Sequence, residues 1–226
     1  MPTTLATELT NLGLDLDDVA QTYYTPQKLT LWINQGQLDI ARRAECLLES
    51  TILPCAANNS IYAAPPDLIR INEVTFSPND ITQIYPLTMK SRQEMNAIWY
   101  VNQQTPGSYP LFYTTWQQPP VVFVQLFPIP AQDGNLQFWY YRLPKDVTTG
   151  TDYLDIPEGY EETLRTFVRY CARRNSGDQI WQDDKALYEE SLSNLITNSR
   201  NWTDASSQFA QGGAYVPGWL YGGWGS

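Results

Sequence analysis

The 226-residue sequence contains no histidine. Histidine is the commonest general base and the commonest metal-ligating side chain, so its absence removes the usual basis for acid–base or metal chemistry. The sequence also lacks the glycine-rich phosphate-binding loops G-x-x-x-x-G-K-[ST] and G-x-G-x-x-G, and the nucleophile turn G-x-S-x-G. We therefore expect a protein that is not an enzyme and that uses no metal or cofactor.

Cysteine and basic residues are also scarce. The three cysteines, Cys46, Cys55 and Cys171, are odd in number and include no C-x-x-C pair. This pattern argues against a disulfide framework or a zinc site and predicts free thiols. Fourteen basic residues against 24 acidic ones give a net charge of −10. Such a surface repels phosphates, so we expect DNA to pass close by without tight or sequence-specific binding.

Long apolar runs are absent as well. No stretch approaches the roughly 20 apolar residues that a membrane span requires. The start, MPTTLATELTNLGLDLDD, lacks the basic and apolar regions of a signal peptide. These features predict no membrane association and synthesis in a cytoplasm.

Neighbouring carboxylates are the one remaining source of catalytic candidates, because a glycosidase needs only two of them. The pairs are Asp152/Asp155, Glu161/Glu162, Asp183/Asp184 and Glu189/Glu190. Helix N-termini and solvated helix faces account for most of these positions. A carboxylate-dependent hydrolase is therefore the minority alternative.

Aromatic residues are abundant: 8 Trp, 15 Tyr and 7 Phe. Such a content indicates large buried or contact surfaces. In the predicted strand LQFWYY, alternation places Phe138 and Tyr140 on one face and Trp139 and Tyr141 on the other. One set should belong to the core, and the other is available for a subunit interface or a sugar-stacking platform.

Helical patterns lie near both ends of the chain. Thr25-Pro26 is typical of a helix start, and apolar residues three and four apart predict a helix to about Glu49. A second helix should open at Ile156-Pro157-Glu158 and end at Asn175-Ser176-Gly177. A third, capped by Asp178, should run to near Asn198.

The predicted fold class is α+β. Long N- and C-terminal helices, in residues 25–57 and 146–200, should form a helical bundle that carries an inserted antiparallel β domain, residues 58–145. Within that domain, Ser91 and Glu94 form a capping box that predicts one short helix. Residues 1–24 are an N-terminal arm or a short helix, and residues 201–226 are a C-terminal extension.

Several segments together resemble the head-to-tail adaptor (connector) proteins of short-tailed bacteriophages. They include LTLWINQGQLDIARRAECLLES, SIYAAPPDLIRINEVTF and DYLDIPEGYEETLRTFVRYCARR, in the order of that family and over roughly residues 25–200. The resemblance implies a virion structural protein of the neck that forms a dodecameric ring beneath the portal protein. It also implies that the ring joins the portal to the tail nozzle, can support tail fibres, and lets DNA pass during genome ejection.

The chain ends in GGAYVPGWLYGGWGS, which has six glycines and no charged side chain. Aromatic residues in an adaptable backbone suit a segment that becomes ordered on a partner. We expect this segment to dock on the portal or on a neighbouring subunit, against the alternative of a free or folded-back end. The candidate docking residues are Tyr215, Pro217, Trp219, Leu220, Tyr221 and Trp224. A carbohydrate-binding or tail-fibre-associated β module is the alternative function.

Overall fold

The computed structural model describes residues 2–79, 83–102 and 109–211, with backbone alone for residues 98–102 and 198–211. These residues form five helices and eight strands, which confirms the α+β class. The helices are α1 (Leu5–Asp15), α2 (Pro26–Ala44), α3 (Arg92–Asn102), α4 (Glu161–Ser176) and α5 (Trp181–Gln211). The strands are β1 (Leu48–Cys55), β2 (Ile61–Ala63), β3 (Leu68–Pro78), β4 (Tyr85–Pro86), β5 (Thr88–Met89), β6 (Phe112–Gln118), β7 (Val121–Phe127) and β8 (Gly134–Arg142).

The strands form two four-stranded sheets. The first has the order β1-β8-β3-β4 and the second the order β2-β7-β6-β5. The prediction of a purely antiparallel unit is wrong at one pair, because β5 and β6 run parallel. Between these two strands the chain passes through α3, and a parallel pair needs a crossover connection of this kind.

The first long helix is shorter than its apolar pattern predicts. It begins at Pro26 after the N-cap Thr25, as expected, but it ends at Ala44 and not near Glu49. Glu45 adopts the left-handed conformation, with φ 48° and ψ 48°, and its N–H bonds the carbonyl of Ala41. This cap stops the helix and lets the chain enter β1.

The two C-terminal helices also differ from their predicted limits. The helix expected at Ile156-Pro157-Glu158 begins at Glu161, because residues 157–160 form a turn in which Gly159 has φ 93°. Gly177, with φ 77°, ends α4 as expected. The last helix continues past the predicted end near Asn198 to Gln211, because no glycine or proline interrupts it before Gly212.

The capping box at α3 is confirmed. The backbone N–H of Ser91 donates to a Glu94 carboxylate oxygen at 2.8 Å, and the Glu94 N–H donates to the Ser91 hydroxyl at 3.2 Å. Two polar groups at the helix start are thereby satisfied reciprocally.

The core has two parts. One lies among α1, α2, α4 and α5, and its fully buried members are Leu12, Leu29, Ile33, Ile40, Leu164, Val168, Ala172 and Leu192. The other lies between the two sheets, where Val74, Phe76, Val124, Leu126, Leu136 and Phe138 are fully buried. Of the two possibilities for the first residues, the structure has the short helix, since α1 packs on its own chain.

The expected bundle of long helices is not confirmed. Of the four helices that share a core, α1, α2 and α4 span only 11, 19 and 16 residues. The two sheets form a second core of their own. The molecule is therefore an α+β structure with one core among its helices and another between its sheets, and not a long-helix bundle.

Candidate interaction surfaces

Most of the carboxylates considered as catalytic candidates are engaged by cations or backbone groups of the same chain. The closest contacts to cations are Asp155 with Arg142 at 2.5 Å, Asp184 with Arg173 at 2.9 Å, and Glu189 with Arg43 at 2.6 Å. Asp152 accepts hydrogen bonds from the hydroxyl and backbone N–H of Thr149 and the N–H of Thr148, and these bonds hold its pKa well below the usual range. Over the described ranges, no group of three or more Cys, Asp and Glu side chains could hold a metal ion.

The three cysteines are free, as the sequence predicts. Burial raises the pKa of Cys46 and of Cys171 to about 11, and it raises the pKa of Cys55 as well. A thiol with a raised pKa stays protonated near neutral pH, and the thiol is a poor nucleophile and a poor metal ligand. Cys55 belongs to the core between the sheets, and Cys46 packs against the helical core.

A polar junction fixes the end of β8 to the helices. Asn34 on α2 donates to the carbonyl of Val147 at 3.0 Å and accepts the Val147 N–H at 2.9 Å. The fully buried Gln37 accepts the Asp155 N–H at 2.6 Å, and the Asp155 carboxylate binds Arg142 at the end of β8. Because these groups are hydrogen-bonded to each other and largely shielded from water, they hold the first sheet in a fixed position on α2.

A buried ion pair fixes α1 to α4. Glu8, which is 0% exposed, accepts hydrogen bonds from Nε and Nη2 of Arg165 at 2.9 and 3.1 Å. Desolvation raises the pKa of Glu8, while the Arg165 guanidinium acts in the opposite direction. Asp15 and Arg169 form a second, longer contact between the same helices at 3.7 Å.

Many large apolar side chains are exposed on the described surface. Those at least 46% exposed are Leu14, Val19, Tyr23, Leu31, Leu48, Ile52, Ile61, Ile84, Met89, Leu111, Tyr153, Ile180 and Leu187. Scattered apolar residues are normal on a protein surface, so arrangement matters more than number. Two of them, Leu48 and Ile52, lie on one side of β1, the outer strand of the first sheet.

The outer side of β1 is open for hydrogen bonding. Arg142 donates its N–H to the carbonyl of Leu47, and the antiparallel register then continues with Leu48 opposite Tyr141. The alternation of the ladder directs the backbone groups of Leu48, Ser50 and Ile52 away from β8. Pro54, which has no N–H, stands at the next such position, where it costs no bond to β8.

The apolar face beside this edge extends onto β8. Trp139 is opposite Ser50 and therefore on the same face as Leu48 and Ile52, and its side chain is half-buried. We call this region the β1 edge surface: the outward backbone groups of Leu48, Ser50 and Ile52 together with the side chains of Leu48, Ile52 and Trp139. It combines unpaired peptide groups with apolar area.

Most of the other sheet edges in the described ranges are short or irregular, although residues 114–118 of β6 extend beyond its two-residue partner β5. Strand β2 has three residues, and β4 and β5 have two each. Along β3, the register shifts twice before Val74, and Arg70 and Glu73 are exposed there. Short strands, bulges and charges are the usual protection against unwanted strand pairing. On β1 the charge of Glu49 is instead paired with Arg142 at 2.5 Å. Pro54 protects only the end of the strand, so the outward backbone groups of Leu48, Ser50 and Ile52 are left open.

The aromatic alternation predicted for β8 is confirmed. Phe138 and Tyr140 are buried between the sheets. On the other face, Tyr141 is also buried and lies under the Arg70 guanidinium, 5.2 Å from the ring centre, so Trp139 alone of these four side chains is half-buried. This second face therefore contributes one aromatic ring to the surface and not a flat aromatic platform.

The predicted docking residues of the C-terminal segment, 215–224, lie outside the described residues. Sequence reasoning missed the β1 edge surface, because the helical pattern of α2 was extended to Glu49 and covered the start of the strand. The signal that could have found it is the β-branched pair Thr51-Ile52, followed by Pro54.

Comparison with known proteins gives one family. The model of the family described as SU10 adaptor protein matches residues 3–213, which is nearly the whole chain. No curated protein gives a significant match. None of the helices in the described ranges combines the length and apolar character that a membrane crossing requires.

Proposed function

The chain belongs to the SU10 adaptor protein family, and we propose on that basis that it is the head-to-tail adaptor of a bacteriophage particle. In this proposal, copies of the chain form a dodecameric ring that joins the portal protein to the tail nozzle and lets DNA pass during genome ejection. The protein is made in the host cytoplasm and resides in the neck of the virion. The observation that carries the proposal is the family match over residues 3–213.

The surface chemistry supports an assembly role. Most of the candidate carboxylates are engaged and burial raises the pKa values of the thiols, whereas large apolar side chains and the β1 edge surface are accessible. Unpaired strand edges and exposed apolar area are features that another polypeptide covers. A protein of this kind acts through contacts with other subunits.

The distribution of charge supports passage of DNA without binding. The net charge is −10, and several arginines each lie within 3 Å of a carboxylate of the same chain. These arginines are Arg43, Arg70, Arg142, Arg165 and Arg173. Paired cations release few counterions from a phosphate backbone, so they contribute little affinity for DNA.

The division of labour within the chain is also part of the proposal. The helices α2, α4 and α5 pack side by side around the ring. The two sheets, which begin with β1 at Leu48, face outward or toward the tail and can support tail fibres. Residues Tyr215 to Trp224 dock on the portal or on a neighbouring adaptor. The small free energy of each tail contact is multiplied around a closed ring through effective concentration.

The test uses the purified chain and the portal protein of the same phage. Native mass spectrometry of the mixture should show a portal–adaptor complex with twelve copies of the chain, and immunogold labelling should place the chain at the neck of virions. Absence of the chain from virions, or failure of the full-length chain to bind portal, would overturn the proposal.

A second comparison tests the tail. Deletion of residues 212–226 leaves α5 intact to Gln211, and we expect it to weaken binding to portal-bound rings. Deletion of Gly225 and Ser226 alone is the matched control, because it shortens the chain outside the proposed docking residues and should leave binding unchanged. Equal binding by the deletion variant and the full-length chain would exclude a docking role for the tail.

A further inference from the structure

We propose that residues 214–221 of one copy add as an extra strand to the β1 edge surface of the neighbouring copy. The inference rests on the proposed ring and specifies how two subunits are joined within it. The juxtaposition that carries it is the set of open backbone groups of Leu48, Ser50 and Ile52 on β1 and an uncharged eight-residue segment in the same chain.

The edge has the chemistry that strand addition requires. The N–H and C=O groups of Leu48, Ser50 and Ile52 point away from β8, and a paired strand satisfies all of them at once. The side chains of Leu48 and Ile52 are 51% and 61% exposed, so an added strand also covers apolar area beside Trp139. The open backbone groups and the exposed apolar area both favour an extended polypeptide over a small molecule or a helix.

The segment matches the edge in length and character. AYVPGWLY, residues 214–221, lies between the glycine pairs Gly212-Gly213 and Gly222-Gly223, and it has as many residues as β1. At about 3.3 Å per residue, either strand spans roughly 26 Å. Tyr, Val and Trp favour strands, and the segment carries no charge to be buried. The charge of Glu49 on the acceptor strand is already paired with Arg142.

Pro217 fixes which side of the segment faces β1. Proline is tolerated on an edge strand when the position of its missing N–H faces outward. The backbone groups of residues 214, 216, 218 and 220 then bond to β1. Tyr215, Trp219 and Tyr221 share the outward backbone register of Pro217, so in this strand their side chains share one face of the sheet and Leu220 lies on the other.

The length of α5 favours a neighbouring copy as the acceptor. This helix has 31 residues, and Ile196 is the last of its described side chains to pack on the chain's own core. Residues 197–211 extend the helix by about 22 Å before the segment begins. A contact between different surfaces of adjacent copies is also the kind of interface that closes a ring.

The experiment is a disulfide trap in the full-length chain assembled on portal. One protein carries Ser50→Cys, and the other carries Val216→Cys, Gly218→Cys or Leu220→Cys in turn. Paired residues of adjacent strands lie within disulfide range, so mixing the two proteins should give a cross-linked dimer on a non-reducing gel. The unmodified chain is the background control, because the pKa values of its own thiols are raised.

A backbone variant supplies an independent measurement. Ser50→Pro removes an outward N–H while leaving the bonds to β8, and Ser50→Ala changes the side chain alone. We expect the proline variant to reduce ring assembly on portal by roughly tenfold or more, since it loses a main-chain hydrogen bond and blocks the close approach of a strand, and the alanine variant to assemble normally.

The outcomes separate the inference from the proposed function. No cross-link between the two proteins, although portal binding is intact, refutes strand addition between copies and leaves the adaptor function standing. Equal assembly by the proline and alanine variants refutes it as well. Failure of the unmodified chain to bind portal refutes the proposed function and, because the inference rests on the ring, refutes this inference as well.

Discussion

The buried ion pair between Glu8 and Arg165 allows a direct test of how α1 is held. Arg165→Met removes the cation and leaves a carboxylate of 0% exposure without its partner. Breaking a buried pair in this way costs about 3–5 kcal/mol. We expect about 3 kcal/mol at pH 7, the lower end, because the Arg165 side chain is 25% exposed and water already screens the pair in part.

The loss should depend on pH in a defined direction. Burial raises the pKa of Glu8 above 4.5, its ordinary value, and Arg165 opposes that rise. Without Arg165 the folded-state pKa is higher still, so the folded state of the variant binds a proton more readily than the unfolded state does. The cost of the charged carboxylate is therefore greatest at neutral pH and disappears as the pH falls below 4.5.

The matched control is the double variant Glu8→Leu/Arg165→Met, which replaces the pair by apolar side chains. Such replacements of a buried pair are often neutral or stabilising, so the double variant should unfold within about 1 kcal/mol of the original chain or be more stable. Urea unfolding followed by circular dichroism at pH 7 and pH 5 gives the free energy of unfolding of the original chain, the single variant and the double variant. Equal losses in the single and double variants, or a loss in the single variant that does not change with pH, would refute the reasoning.

Three further substitutions test local contacts. Gly36→Val should reduce the free energy of unfolding by about 1–3 kcal/mol, because a Cβ at Gly36 would lie 2.6 Å from Cδ1 of Leu164 and 2.8 Å from Cδ1 of Phe167. In the same urea titration, Gly36→Val/Leu164→Ala should lose less than the sum of the two single losses, and additive losses would argue against the clash with Leu164. Gln37→Leu removes the acceptor of the Asp155 N–H and should cost about 1–3 kcal/mol, whereas an unchanged unfolding midpoint would show that water replaces it. Ser91→Ala should cost about 1 kcal/mol of α3 stability, seen as faster amide exchange in its first turn, with Ser91→Thr as the control that keeps exchange slow.

Helix ends were predicted correctly from the sequence where one or two neighbouring residues determine them. Thr25-Pro26 and Gly177 lie at the limits expected of them, and the capping box at Ser91 is formed. Each of these depends on hydrogen bonds or dihedral angles within a few residues, which the sequence contains in full.

The predictions from sequence were wrong where the local structure depends on a residue that is distant in the chain. Nothing local to Leu48 shows that its strand pairs with Tyr141, almost a hundred residues later, so a helical pattern that ends at Ala44 was extended into it. The same holds for α1, whose buried Glu8 is paired with Arg165 in α4. The candidate site could not be completed from sequence either, because the exposure of an edge is known only when the neighbours of β1 are known.

The β1 edge surface and the uncharged aromatic tail expose a free chain to nonspecific association, since either can pair with other chains. Strand addition between copies covers both the edge and the tail, and this pairing depends on assembly of the ring. A single tail–edge contact between two dilute copies must offset the entropy of association and is therefore weak. Copies held side by side on a portal need only the entropy of ordering the tail, because their effective concentration is high. On this argument tail and edge engage when the ring forms and not before, so the purified chain should show the cross-link only after portal is added.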